Sequence, residues 1–149
     1  MQKDQLMLKG ALVIAINGEV VREIDNLVVT AGKTWVASRM QGVADAAMTH
    51  MAIGTGTTAA SVGDTTLETE VARVALNVSG GVASTNTLTF ACTFVADVPD
   101  VTAPATAPIT EAGVFNDASA GTMCAHTVFP VINKGEADSM TITWVITIS

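Results

Sequence analysis

Residues 139–149 read SMTITWVITIS, and every second side chain in this stretch is large and apolar. The apolar positions are Met140, Ile142, Trp144, Ile146 and Ile148. A repeat of two residues is typical of a β-strand that turns one face to a core. Burial of this face would contribute roughly 10 kcal/mol, at about 1.5–3 kcal/mol for each fully buried apolar side chain and with incomplete burial. The stretch therefore predicts a core strand, and the rest of the chain has to supply its neighbours.

The same repeat occurs in STNTLTFACTFVADV, residues 84–98, and predicts a second core strand. Its apolar face carries Leu88, Phe90, Cys92 and Phe94, and its other face carries threonines and an alanine. Apolar and β-branched content predicts four further strands, at residues 48–53, 67–79, 109–116 and 121–130. A Gly-Gly pair ends the second of these, and a proline ends the last.

Three local signals lie outside these strands. Asn17-Gly18 separates the apolar runs ALVIAI and EVVREI, and this dipeptide favours the type I′ turn of a β-hairpin. Residues 31–41 are predicted as a short helix, capped by Thr30, with a partly apolar face that suits packing on a sheet. Residues 99–108, PDVTAPATAP, are predicted as an extended loop or arm, because proline lacks the backbone donor that a sheet ladder requires.

These elements sum to seven or eight short strands and one short helix, without an evident internal repeat. They predict a mainly β fold, namely an antiparallel β-sandwich or barrel-like domain with the helix packed on it. A length of 149 residues fits one domain, residues 1–149. Within it, residues 1–25 are interpreted as an N-terminal arm or hairpin and residues 99–108 as a proline-rich loop.

Charge restricts the classes of function. The net charge is −7, and the basic residues are few and scattered along the chain: Lys3, Lys9, Arg22, Lys33, Arg39, Arg73 and Lys134. Neutralising the phosphates of a nucleic acid or of anionic lipids needs a basic patch, so neither nucleic acid nor a membrane is predicted as a partner. Only 14% of residues are charged, against about a quarter in globular domains. The excess of alanine, threonine and valine predicts weakly polar surface, of the kind that assemblies bury.

The cellular setting is predicted from the N-terminal apolar run and the cysteines. ALVIAI is too short for the core of a signal peptide, and no run reaches transmembrane length. Cys92 and Cys124 lie in β-like stretches and are expected to be buried free thiols. The chain is therefore expected to be made in the cytoplasm of its host.

Residues 51–73, MAIGTGTTAASVGDTTLETEVAR, raise the question of a phosphate-binding loop. Such loops place a lysine after the glycines or open a helix at them. Here no lysine follows, the next segment is predicted as a strand, and the nearby acidic residues would repel an anion. Gly54 and Gly56 are instead expected to adopt backbone angles closed to other residues.

Glu68, Glu70 and Glu111 are the carboxylates with the strongest claim to chemistry. Glu68 and Glu70 share a face if residues 67–79 form a strand, and paired carboxylates can act as acid and base or bind a cation. A structural ion pair, either Glu70–Arg73 or Glu111–Arg73, is favoured over a cation site and over catalysis.

The two histidines are expected to be ordinary strand residues. His50 and His126 show no zinc spacing with a cysteine. His126 and Cys124 can share a strand face, but a catalytic dyad also needs a third, orienting group. No catalytic residue, cofactor or metal is predicted.

Four segments together resemble a family of small structural proteins of tailed-phage virions: MAIGTGTTAASVGDTTLETEVAR, ITEAGVFN, GTMCAHTVFP and TITWVITIS. The resemblance covers about residues 26–149 and leaves out the hairpin at 11–25. It implies no catalytic residues. By match, it implies framework positions at Gly54, Gly56, Asp64, Leu67, Glu70, Arg73, Glu111, Gly113 and Phe115.

The resemblance implies a virion component, described in the family as a head decoration (cement) protein or a tail-fibre-like protein. The leading expectation is a homotrimer on the capsid surface that binds the major capsid protein and stabilises the head through buried area. A tail-fibre, baseplate or other tail component is the alternative. A carboxylate-pair hydrolase and a host- or sugar-binding module are the expectations from other classes. The shortage of aromatic residues, four Phe and two Trp, disfavours the last.

Overall fold

Nine β-strands and one α-helix occur in the part of the chain that the computed structural model describes, residues 4–43, 45–100 and 105–149. In chain order, the elements are β1 (Leu8–Ile16), β2 (Glu19–Val28), α1 (Thr30–Gln41), β3 (His50–Gly54), β4 (Glu70–Ala75), β5 (Val82–Ser84), β6 (Thr87–Phe94), β7 (Thr106–Phe115), β8 (Met123–Gly135) and β9 (Met140–Ile148). The connection between β3 and β4, residues 55–69, is the longest and carries the glycine-rich segment.

The strands form one antiparallel sheet in the order β4-β3-β7-β8-β2-β1-β9-β6-β5, and the sheet curls into a half-barrel. The curl brings the two edges of the sheet close together. Asn77, just after β4, donates its backbone N–H to the carbonyl of Ala91 in β6 at 2.8 Å. A twisted sheet of this size curls because one face can then bury its apolar side chains against itself. The prediction of a mainly β, antiparallel, barrel-like fold is confirmed.

The inner face of the half-barrel carries the core, and the two segments with the strict repeat dominate it. The side chains of these segments that are buried are Phe90, Cys92, Phe94, Met140, Ile142, Trp144 and Ile146. β9 lies between β1 and β6, so Trp144 stands opposite Leu12 on one side and Phe90 on the other. The predicted inward faces are therefore correct, except at the strand end, where Ile148 is 37% exposed.

Of the two alternatives for residues 1–25, an arm or a hairpin, the structure has the hairpin, and the hairpin is an integral part of the sheet. β1 pairs with β2 on one side and with β9 on the other, and Leu12 and Ile14 are buried in the core. The predicted turn is present, because Asn17 and Gly18 have φ of 51° and 84°, the left-handed values that a type I′ turn requires.

Several predicted strands end early because the backbone finds a different partner. The segment 67–79 contributes only β4, since Leu76 turns away and donates its N–H to the carbonyl of Thr49 at 2.8 Å. The segment 84–98 contributes β6, but its first residue, Ser84, is the last residue of β5. β5 pairs with β6 through a tight turn that contains Thr85. Such pairings join distant residues, and local sequence pattern does not reveal them.

Two prolines lie inside strands, contrary to prediction. Pro108 lies in β7 opposite Asn133, so the loop prediction is wrong for residues 106–108, and residues 101–104 lie outside the described residues. Pro130 lies inside β8, where the register with β7 shifts. An irregular register accommodates a residue that has no N–H to donate.

Helix α1 begins at Thr30, one residue earlier than predicted, and its N-cap is Val29. Val29 has an extended backbone and no side-chain cap, so the predicted capping role of Thr30 is wrong. The backbone N–H of Thr30 is instead donated to the carbonyl of Val62, at 2.8 Å. The start of the helix is therefore held by the β3–β4 connection.

Close contact between α1 and β8 depends on a glycine. A Cβ on Gly32 would lie 2.9 Å from the Cα of Cys124, closer than real Cβ atoms approach. Trp35, one turn later, packs against the core, and its indole N–H donates to the carbonyl of Ala46 at 2.8 Å. The helix therefore covers one end of the half-barrel, as its predicted packing on a sheet requires.

Cys92 and Cys124 are buried and free, as predicted. Burial raises the pKa of each thiol to about 12, so the reactive thiolate is scarce at neutral pH. Within the described ranges, no helix has the length and apolar character to span a lipid bilayer.

Candidate functional site: a buried carboxylate–histidine network

The β3–β4 loop, residues 55–69, lies against the face of β7 and β8 that is turned away from the main core. Its Leu67 packs into a second apolar cluster with Phe115 and Met123. Because the main core covers one face of β7 and the loop covers the other, every residue from Ile109 to Phe115 is buried. A strand covered on both faces leaves any polar side chain on it without water.

Glu111 of β7 is that polar side chain, and it has 0% exposure. Its carboxylate accepts backbone N–H groups from Gly56 at 3.0 Å, Glu68 at 3.1 Å and Thr69 at 2.8 Å. It also lies 3.0 Å from Nε2 of His126. Hydrogen bonds to the charged form offset the cost of burying a carboxylate, so Glu111 fastens both ends of the loop to the sheet.

His126 of β8, 3% exposed, lies between two carboxylates. Its Nδ1 is 2.7 Å from Oδ2 of Asp64, in the β3–β4 loop, and its Nε2 contacts Glu111. A ring that carries both protons donates to both carboxylates, whereas a neutral ring donates to only one. His126 is a strand residue, as expected, and its two contacts, which the sequence did not predict, join the loop to the buried carboxylate.

Asp64 is held in place on the loop side. The backbone N–H of Ser61 donates to its carboxylate at 2.7 Å. This hydrogen bond, together with the bond and charge of His126, holds the pKa of Asp64 below its usual range. The charged form of Asp64 is thus the form that the fold stabilises.

Gly54 and Gly56 are needed for close approach, which corrects the expectation of unusual backbone angles. Neither has a positive φ. A Cβ on Gly54 would lie 2.5 Å from Oε1 of Glu111, and a Cβ on Gly56 would lie 2.6 Å from the same atom. Gly113 similarly makes room for Leu67, whose Cδ2 would lie 3.0 Å from an added Cβ. The three glycines therefore leave room for the contacts between the loop and the sheet: Gly54 and Gly56 for the carboxylate of Glu111, and Gly113 for Leu67.

Arg73 forms a second brace, at the β4 edge. Its guanidinium donates to both carboxylate oxygens of Glu70, at 2.6 and 3.2 Å, and to the carbonyls of Asp117 and Ala120, at 3.0 and 2.8 Å. It also stacks on the ring of Phe115, 3.8 Å from the centroid, in a cation–π contact. Of the two predicted alternatives, the Glu70–Arg73 pair is present, and Glu111 contacts His126 instead.

The paired carboxylates do not share a strand face, because Glu68 lies in the loop. Glu68 accepts the backbone N–H of Thr58 at 2.8 Å, and this bond lowers its pKa. A depression of about 310 Å³ opens beside Glu68, Asp64 and His126. Among the described residues, no group of three or more His, Cys, Asp or Glu is arranged to hold a metal ion.

The network offers few groups for chemistry, because its polar atoms are already hydrogen-bonded within the protein. Both imidazole nitrogens of His126 face carboxylates, so neither is free to take a proton from a bound molecule. Glu111 is enclosed on all sides. His50, the other histidine, is half-buried, and its Nδ1 lies 2.8 Å from the hydroxyl of Thr49. The geometry suits a structural clamp on the β3–β4 loop.

Apolar surface is exposed at a separate place, around α1. We define the helix-end face by six residues: Leu6, Met7, Leu8, Lys33, Val36 and Met40. Leu6 and Met40 are 62% and 76% exposed. Two depressions, of about 420 and 290 Å³, adjoin here, and the second reaches the buried side chains of Phe90 and Ile146. Contiguous exposed apolar surface of this kind marks interaction sites.

The protein is thus a β-rich module with buried or partly buried polar contacts that stabilise the fold and with exposed apolar surface at one end. Comparisons with known proteins add no relative, since no family model, curated protein or solved structure matches the chain. The functional argument consequently rests on the residues and their contacts.

Proposed function

We propose that the chain is a structural protein of a phage virion, and specifically a capsid decoration protein that binds the outer shell and stabilises the head. Its action is adhesive: a rigid β-module buries weakly polar and apolar surface against capsid subunits and against its own copies. Many copies acting together resist the outward pressure of packaged DNA. The proposal assigns no reacting group to the chain.

The proposal is supported by the structural role of the residues on which the family resemblance rests. Glu111, Asp64, Arg73 and Glu70 are all engaged in internal hydrogen bonds and ion pairs. Three glycines, at positions 54, 56 and 113, make room for these contacts. A motif whose members all hold the fold together supports a framework role, as the resemblance implies.

The outer surface gives further support. Many of the exposed side chains are threonine, alanine or valine, and large apolar side chains are exposed at several places. Standard interfaces are about as apolar as ordinary protein surface, with a more apolar centre. The helix-end face has such a centre, which suits contact with another protein better than contact with water.

The partners in this proposal are the major capsid protein and further copies of the chain, as a homotrimer on the virion surface. The net charge of −7 suits a basic patch on the capsid. A tail-fibre, baseplate or other tail location is the alternative, and a host-binding module is the weaker one. Head and tail differ most clearly in copy number.

Counting copies in purified virions tests the proposal. Quantitative mass spectrometry, calibrated with the purified chain and with the major capsid protein, gives the number per particle. A decoration protein is expected at hundreds of copies, removable without loss of the capsid. A handful of copies would favour the tail, and absence from intact particles would overturn the virion role.

A further inference from the structure

The two ends of the half-barrel differ in charge. The helix end holds α1 and residues 4–8. The turn end, opposite, holds the β1–β2 turn, the β8–β9 turn and the segment after β6. Two contacts join these three pieces: the Asn17 amide donates to Asp138 at 2.9 Å, and the N–H of Asp97 donates to the carbonyl of Glu136 at 2.8 Å.

The turn end is acidic and carries exposed apolar side chains. Its acidic residues are Glu19, Asp97, Asp100, Glu136 and Asp138. The nearest cations are used internally: Lys134 is 1% exposed and donates to the carbonyl of Val95, and Arg22 donates to the carbonyl of Val131. Val20, Val95 and Val131 are 55%, 54% and 48% exposed. We call Glu19, Val20, Val95, Asp97 and Glu136 the turn-end face.

The helix end is the only place in the described ranges with exposed cations. They are Lys9, Lys33 and Arg39. Lys33 lines the depression of about 420 Å³ and, with Lys9, a neighbouring one of about 400 Å³. Acidic groups also lie there, namely Asp4, Asp25 and Asp45, so this end is mixed in charge where the turn end is acidic. Arg39 donates to the carbonyl of Asp45 at 2.7 Å, which leaves the two lysines as the free positive groups among the residues described at this end.

We propose that the helix-end face binds the turn-end face of a second copy of this chain, head to tail. Each face exposes apolar side chains, and Lys33 of one face meets the acidic residues of the other. This deepens the proposed function by naming one partner surface, and it rests on that function only for its setting on the virion. Head-to-tail contacts of this kind extend into a row of copies, or close into a ring where each copy is rotated relative to the last.

A second copy fits these faces better than two other occupants. A face-to-face pair would bring Lys33 of one copy towards the same end of its partner, and the acidic turn end would then remain unused. A small apolar ligand would fill the inner depression but would leave Leu6, Met7 and Met40 in water. Head-to-tail contact uses the exposed apolar groups at both ends and pairs opposite charges.

Charge reversal on the purified full-length chain tests the contact. Lys33→Glu disables the helix-end face, and Glu136→Lys disables the turn-end face, so each variant alone is expected to associate at least about tenfold more weakly. Mixing the two variants sets the introduced carboxylate of one against the introduced ammonium group of the other, and is expected to restore association. Sedimentation equilibrium measures all four samples, with Asp117→Lys as a charge-matched control in a turn outside both faces.

Three results would overturn the proposal. The first is a wild-type chain that stays monomeric up to about 1 mM, where even weak contacts assemble. The second is an assembly that Glu136→Lys leaves intact, which would indicate a face-to-face pair. The third is a mixture of the variants that stays as weak as each alone. These outcomes are distinct from failure of the virion role, because an assembled chain that is absent from virions would refute only that role.

Discussion

The β3–β4 loop and the helix end differ in which side chains are buried: polar side chains are buried at the loop, and apolar side chains are exposed at the helix end. Beneath the loop, the side chains of Glu111 and His126 are buried, and the loop turns backbone N–H groups towards Glu111 and the carboxylate of Asp64 towards His126. The helix end turns apolar side chains outward, with Leu6, Met7 and Met40 exposed. Either choice costs free energy in an isolated chain unless something compensates.

The compensation differs between the two regions. In the loop, hydrogen bonds and ion pairs within the same chain satisfy the buried carboxylate. At the helix end, nothing among the described residues covers the exposed apolar groups, and the contact that we propose would cover them. In this proposal the loop region governs the stability of the single chain, and the helix end governs its assembly. Substitutions in the two regions should separate these properties.

The largest expected effect is at Glu111. Glu111→Gln replaces an acceptor by an amide whose N–H₂ would face backbone N–H groups, and it leaves His126 without one carboxylate. We expect the free energy of unfolding to fall by about 3–5 kcal/mol, because the backbone N–H groups and the imidazole that face Glu111 lose part of their buried acceptor. Urea denaturation at low protein concentration measures it. Glu23→Gln, at an exposed carboxylate on β2 with no hydrogen-bond partner among the described residues, is the control and should cost less than about 0.5 kcal/mol.

The contact of α1 with β8 comes next. Gly32→Ala would push a Cβ against the backbone of Cys124, and we expect a loss of about 1–3 kcal/mol together with displacement of the helix. Gly63→Ala is the matched control, because an added Cβ there meets no atom within 4 Å. The labelling rate of the Cys124 thiol reports the displacement, and equal rates in the two variants would contradict the account.

Acid should loosen the loop through Asp64. Its pKa is lower in the folded chain than in the unfolded one, so the unfolded chain takes up the proton first as the pH falls. The stabilisation by Asp64 is therefore complete above the unfolded pKa of about 3.9 and is lost as the pH falls through the folded pKa. Stability curves from pH 7 to pH 2 should be less steep below about pH 4 in Asp64→Asn than in wild type.

The control for this pH dependence is Glu23→Gln, which removes an exposed carboxylate on β2 that has no hydrogen-bond partner among the described residues. Its curve should run parallel to that of the wild type. An Asp64→Asn curve that is equally parallel would show that Asp64 does not brace the loop.

The smallest effect on stability is expected at Met40, which is exposed whereas Glu111 is fully buried. Met40→Glu places a charge at a position that is 76% exposed, so the free energy of unfolding should change by less than about 0.5 kcal/mol. The same substitution should abolish self-association, because it buries a charge at the centre of the proposed contact. Loss of stability without loss of association would reverse the roles that we assign to the two regions.

The sequence predicted the sheet because its information is local. The two-residue repeats of β6 and β9 and the Asn17-Gly18 turn each specify structure within a few residues. The Glu70–Arg73 pair, three residues apart, was predictable for the same reason. The family resemblance also picked out Glu111, Asp64 and Gly113 without showing what they contact.

The network itself could not be predicted from local pattern. His126 meets Asp64, 62 residues earlier, only because the β3–β4 loop lies across β8. A buried Glu111 gives no periodic signal, since β7 is covered on both faces and its burial does not alternate. The sequence did contain one indication of the network: Glu111 is an acidic residue inside a mostly apolar strand, and a buried acidic residue needs a hydrogen-bond partner.

We propose that the chain works by contact on a virion head, and thermal release of DNA from heads tests this role most directly. Heads that lack the chain should release DNA at a lower temperature than complete heads. Adding back the purified wild-type chain should restore the higher temperature, and adding Met40→Glu should not. Identical release temperatures with and without the chain would contradict the claim.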